Sequence, residues 1–200
     1  MSDNSGLFFI LLTVLTLFWI FVWGPKAKEA RAERARLQAE ERAKRETNRL
    51  RLVQEREALL KRVRSSAPNF IMKASLEFER EYRSKGGEGM FGQEMSPLVC
   101  FGYRVGKTAG RTEKERQKIL EYAVAADFDA TLQFLPSSYR NEWGEPLSVT
   151  RFNRIYQHLN NMADLRQGRR NFDVAVSHWR SDASWFHSYQ RPLVDKYLEI

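Results

Sequence analysis

Three letters of the chain, Gly106-Lys107-Thr108, match the end of a phosphate-binding loop. The chemistry of that loop is the wrapping of backbone N–H groups around a nucleotide phosphate, and it needs G-x-x-x-x-G-K-[ST]. Here Gly102 is followed by three residues before Gly106, not four. In the motif a helix begins at the Lys and points its N-terminus at the phosphate. Here Ala109-Gly110-Arg111 follows, and the next helix start is marked at Thr112. The nucleotide reading therefore fails on spacing. Glycines 102, 106 and 110 instead indicate turns or close backbone approach. Tyr103 and Val105 are positioned to anchor inward, while Lys107 and Arg111 face solvent or an anion near a helix N-terminus.

Other residues invite a similar test. Arg116 lies three and four residues before Ile119 and Leu120, on the inward side of its helix, and a buried guanidinium needs a partner. Asp182 lies among Trp179, Ala183 and Phe186 and is placed inward in the same way. The expected arrangement is an internal pair in which Arg116, or Arg151 beside Ile155, meets Asp182; an Arg-lined anion pocket is the functional rival. The binding candidates are accordingly Lys107, Arg111, Arg116, Arg151 and Asp182. The histidines, His158, His178 and His187, show no metal-ligand spacing with each other or with Cys100. No catalytic constellation, metal site or cofactor is indicated, so the chain reads as a non-enzyme. Cys100 is the only cysteine, which excludes an intrachain disulfide.

The elements that must position these residues are helical. Ile71, Ala74, Phe78 and Tyr82 recur at helical spacing over residues 69–83. Thr112 and Glu115 form a capping box ahead of a helix to about Ala126, and Ser148 caps another that carries Phe152, Ile155, Tyr156, Leu159, Met162 and Ala163. Asn171 is expected to cap a last helix that stops at Pro192. Between residues 84 and 97, a Gly-rich run reads as a mobile loop. Leu98 to Val105 is too brief to assign as a strand or a turn. Trp143, Trp179, Trp185, Phe152, Phe172 and Tyr156 are mostly expected in the core.

The N-terminal third has a different composition. Leu7 to Trp23 is uncharged and mostly apolar, and as a helix its 17 residues span about 25 Å. No basic residue precedes it, unlike a signal peptide. Asp3 lies before it; Lys26, Lys28, Arg31, Arg34 and Arg36 follow it. The expectation is a transmembrane helix over residues 7–24, with residues 1–6 extracytoplasmic and the C-terminal side in the cytoplasm of the inner (plasma) membrane. Residues 26–64 contain neither Gly nor Pro and hold 14 Lys and Arg against 7 Glu. They read as a charged helical stalk of about 60 Å with favourable i, i+4 pairs. Leu52, Val53, Leu59, Leu60 and Val63 supply only part of a coiled-coil seam, which suggests weak self-association near residues 50–63. Of the net charge of +8, the stalk carries +7 and residues 65–200 carry +2, so a basic average says little about the C-terminal domain.

The motif order over residues 98–189 resembles a recurring small helical C-terminal module of uncharacterised bacterial and phage proteins, membrane or defence-associated. The matching residues are Gly102-Tyr103-Arg104-Val105-Gly106, Gly110, Arg116 with Ile119-Leu120, Leu135-Pro136, Trp143-Gly144-Glu145-Pro146 with Ser148 and Arg151, and Trp179 with Asp182 and Trp185. The resemblance implies a recurrent fold and no established reaction. The fold class expected for the whole chain is mainly α: a transmembrane helix, the stalk, and a compact helical domain over residues 65–200. The function expected is a single-pass membrane protein presenting a cytoplasmic protein-interaction domain. Its partners would be the lipid bilayer and another protein. A membrane-tethered nucleic-acid-binding protein is the alternative, and an enzyme with an unrecognised site is the third.

Overall fold

The computed structural model describes residues 5–19, 24–85 and 96–198. Among these residues the secondary structure is helical, with no strand. The chain divides into two compact units, Met1–Arg51 and Leu52–Ile200.

In the first unit, α1 spans Ser5–Phe18. Its 14 residues rise about 21 Å, against a hydrocarbon core of roughly 30 Å. Among the described residues no helix is long and apolar enough to cross a membrane. This corrects the expected transmembrane helix over residues 7–24, and with it the membrane anchor and the inner-membrane, N-outside location. The physical reason is length: hydropathy averages over a run of residues, but crossing lipid takes a helix of about 20 apolar residues. The regular α1 helix ends at Phe18, and α2, which begins at Gly24, enters charged sequence at once. Residues 20–23 of the expected span and residues 1–4 of the expected extracytoplasmic segment lie outside the described residues, as does most of the Gly-rich loop.

The helix α2 spans Gly24–Ser65. Pro25 lies in its first turn, where a missing N–H leaves no bond unmade. From Lys26 to Arg51 every side chain is exposed, and i, i+4 contacts such as Lys44–Glu40 at 2.8 Å support the helix locally. Its last turns belong to the second unit. There Leu59, Leu60 and Val63, three of the residues that could have formed a coiled-coil seam, pack against the core of their own chain. Arg56 donates to the Pro146 carbonyl (2.7 Å), Arg64 pairs with Asp127 (2.9 Å) and Lys196 with Glu55 (2.7 Å). The compact unit thus begins about thirteen residues before the expected boundary at residue 65.

The rest of this unit comprises α3 (Asn69–Ser84), α4 (Pro97–Cys100), α5 (Glu113–Ala125), α6 (Phe128–Thr131), α7 (Ser137–Glu142), α8 (Val149–Arg166) and α9 (Asp173–Lys196). The Thr112 capping box is formed in full, and the Ser148 hydroxyl accepts from the Arg151 N–H. The last helix departs from expectation at both ends. Asn171 does not cap it but takes a left-handed φ of 72°, and the helix begins at Asp173. Pro192 lies inside it, and four further residues continue the helix to Lys196. Val194, two residues past the proline, is buried, so packing outweighs the lost hydrogen bond there. The core forms where α8 packs against α9 and both meet α5: Ile119, Leu120, Ile155, Leu159 and Ala163 are fully buried. Phe152 and Phe186 stack at 5.0 Å.

Candidate functional site

The stretch Phe101 to Arg111 leaves α4 and reaches the Thr112 cap through a loop built on backbone contacts. Tyr103 N–H donates to the Leu98 carbonyl at 2.8 Å, and Arg111 N–H donates to the Arg104 carbonyl at 3.0 Å. Gly102 and Gly106 have φ of 78° and 105°, the left-handed region that favours glycine. Gly110 passes so close to Gly106 that a Cβ on it would collide with the Gly106 carbonyl oxygen. Thr108 lies five residues before α5 begins, so no helix N-terminus faces the G-K-T letters.

Under this loop lies a buried polar network. Asp182 projects from α9 and is fully buried. Arg116 of α5 meets it side-on, with Nε 2.6 Å from Oδ2 and Nη2 3.2 Å from Oδ1. The Tyr103 hydroxyl donates to the same Oδ2 at 2.6 Å. The remaining Arg116 nitrogen donates to the Arg111 carbonyl at 2.8 Å. Burial, followed by the neighbouring Asp182 carboxylate, pushes the Tyr103 phenol well above its ordinary range, so it stays a donor. Beside the network, the Gly106 N–H donates to His178 Nδ1 at 3.3 Å. Burial, and then the Arg116 charge, lowers the His178 pKa, which favours the neutral ring this bond needs.

Arg151 does not join Asp182. Its Nε donates to the Trp143 and Gly144 carbonyls (3.0 and 3.1 Å), and Nη1 donates to Ala123 and Ala126 (3.1 and 2.9 Å). Its Nη2 donates to Gly144 as well, and the guanidinium lies 3.5 Å over the Phe128 ring. Arg151 therefore acts as a cationic C-cap for α5, tying that helix end to the turn before α8. Burial lowers its pKa to about 10. A cleft of about 150 Å³ opens beside it, lined among others by Asp127, Asp129, Arg140 and Glu145. Asp127 is paired with Arg64, and Asp129 with Arg140 at 2.7 Å. Opposite charges thus already neutralise one another at its rim.

Of the sequence candidates, Arg116 and Asp182 are brought together. Arg111 is partly covered: it donates to the Gly102 carbonyl (2.8 Å), pairs with Glu115 (3.3 Å) and lies 4.9 Å over Phe70. Lys107 is exposed. Cys100 is buried, and burial pushes its thiol up to about 12. His158, half-buried and edge-on to Trp143, is lowered to about 4 by burial. Among the described residues no group of His, Cys, Asp and Glu is arranged to hold a metal ion. Tyr103 was expected inward, but its role as third partner of Asp182 carries no signal in spacing, because the two residues are 79 positions apart.

The sequence reading also missed an external feature. Trp185, one of the aromatics mostly expected in the core, is half-buried against it and stacks at 5.5 Å on Tyr189, which is 67% exposed. Both project from α9, one turn apart, and Ser181, Ser184 and Ser188 beside them are short and exposed. No protein-family model, curated protein or solved structure matches this chain.

Proposed function

We propose that the unit Leu52–Ile200 is a protein-binding module that engages its partner through the Trp185–Tyr189 face of α9. The observation that carries this reading is the stack of a half-buried Trp185 on an exposed Tyr189, both on one helix. Trp and Tyr dominate the binding energy of interfaces because they bury much area for little lost side-chain freedom. Here the adjacent side of α9 holds Trp179, Ala183 and Phe186 in the core, and Trp185 packs against its edge, so the aromatic face is presented in one fixed orientation. The short serines alongside let a partner surface approach the rings closely. The buried network, by contrast, engages its polar groups internally. Tyr103, Arg116, Arg151 and Asp182 are all positions of the repeating motif order noted above, and they act as the frame that holds α9 in place. No catalytic role is assigned to them.

The test is site-specific photo-crosslinking of the full chain in cells, with the crosslinker at position 189 and a control at exposed Arg80. The expected result is one discrete adduct from 189 that is absent from 80. The purified partner should then lose about 30-fold or more in affinity on Trp185→Ala, with helix content unchanged. Adducts of the same pattern from both positions, or full affinity of the variant, would overturn the reading.

A further inference from the structure

The first unit carries a second surface that the aromatic face does not involve. Between Lys26 and Arg51, α2 holds ten Lys and Arg against five Glu, and every side chain is exposed. At about 100° per residue, the charges are not evenly distributed around the helix. Arg31, Arg34, Arg42, Arg45 and Arg49 fall within one arc of about 80°, together with Gln38 and Ala27. No carboxylate falls in that arc. Glu41 and Glu46 flank it, and Glu29, Glu33 and Glu40 lie on the far side. From Arg31 to Arg49 the row rises about 27 Å, close to eight base-pair steps of duplex DNA.

The kind of partner follows from what this face lacks. A helix that lies on lipid needs an apolar side. Leu37 and Leu50, the large apolar side chains of this stretch, both lie outside the arc and face different directions. A partner helix would need apolar residues at seam positions, where this chain has arginines. The remaining complement is a regular polyanion that binds through charge alone. The major groove of B-form DNA, about 12 Å wide, admits a bare α-helix, while the deep, narrow major groove of duplex RNA does not. We propose that the arginine face of α2 docks along the major groove of double-stranded DNA, contacting phosphates without reading base sequence. Guanidinium groups suit phosphate because their planar forks bond two oxygens at once. The Arg45–Glu41 contact, 4.0 Å between exposed groups, is weak enough to yield to a phosphate.

The experiment is fluorescence anisotropy of the full chain with a DNA duplex of about 24 base pairs, titrated across salt concentration. Five neutralised phosphates give a slope of log K against log salt of about −4.5. Replacing Arg31, Arg34, Arg42 and Arg45 with Gln should reduce it to about −1. A variant of equal charge loss off the face, with Lys26, Lys28, Arg36 and Arg51 replaced by Gln, should keep a slope within about one unit of the parent. Circular dichroism checks helix content. If the face variant loses helix, the paired variants Arg31→Gln/Arg34→Gln and Arg42→Gln/Arg45→Gln show the same trend at half the size. The proposal is overturned by any of three results: equal loss of slope in both quadruple variants, no DNA binding at about 50 mM salt, or equal binding to duplex RNA or to vesicles containing phosphatidylserine.

Discussion

Asp182 shows at the scale of a single residue why a buried charge belongs to the fold. Its two oxygens take three hydrogen bonds, two from Arg116 and one from Tyr103. Removing one member of such a buried pair leaves the other desolvated and unpaired, which costs about 3–5 kcal/mol, whereas replacing both with apolar groups of similar volume costs far less. Chemical denaturation of the full chain should therefore show Asp182→Ala destabilised by about 3–5 kcal/mol. The double variant Arg116→Met/Asp182→Leu should lose clearly less than the two single losses added together. Additive losses would mean that the pair does not act as a unit. Legibility differed among these residues. The inward placement of Arg116 and Asp182 could be read from helical periodicity, but the choice between Arg116 and Arg151 as partner could not. That choice depends on Arg151 lying within reach of four main-chain carbonyls, two at the end of α5 and two in the turn before α8, and carbonyls are contributed by position in space, not by residue type.

At the scale of elements, the loop from Phe101 to Arg111 places Tyr103 over Asp182 because its backbone folds back on itself at Gly106 and Gly110. A methyl group at 110 would strike a carbonyl oxygen, which cannot move without opening the turn. Gly110→Ala should lower stability by about 2–3 kcal/mol, read from urea unfolding. Gly168→Ala is the comparison: φ is 73° but the space is open, so the cost is only the left-handed strain of about 1–2 kcal/mol. An equal cost at both sites would remove the close-approach account. Helix starts were legible at Thr112 and Ser148, since a capping hydroxyl acts within three residues of itself. The bounds of α9 were not, because Asn171 and Pro192 carry local preferences that the packing of Trp179, Phe186 and Val194 overrides.

At the scale of the whole molecule, the boundary between the two units falls inside a helix. The C-terminal turns of α2 bring Leu59, Leu60 and Val63 to the core and Arg56 and Arg64 to polar partners of the second unit. Removing residues 1–51 should therefore leave the thermal unfolding midpoint of the remainder within a few degrees of the full chain. Removing residues 1–65 should destabilise it by at least about 3 kcal/mol, the worth of three apolar side chains taken from a core. Equal midpoints for the two truncations would place the boundary at residue 65 after all. The helical class, the capped starts of α5 and α8, the failure of the G-K-T spacing and the exposed charged character of α2 up to Arg51 were legible in the sequence, because each follows from contacts within a turn or two. Tertiary packing settled which arginine meets Asp182, that Leu59, Leu60 and Val63 join the core of their own chain, and that Trp185 is half-buried beside an exposed Tyr189, while among the described residues no helix is long and apolar enough to cross a membrane. These outcomes depend on where segments distant in sequence come to lie and on where a helix ends, and neither is encoded in the composition of a local window.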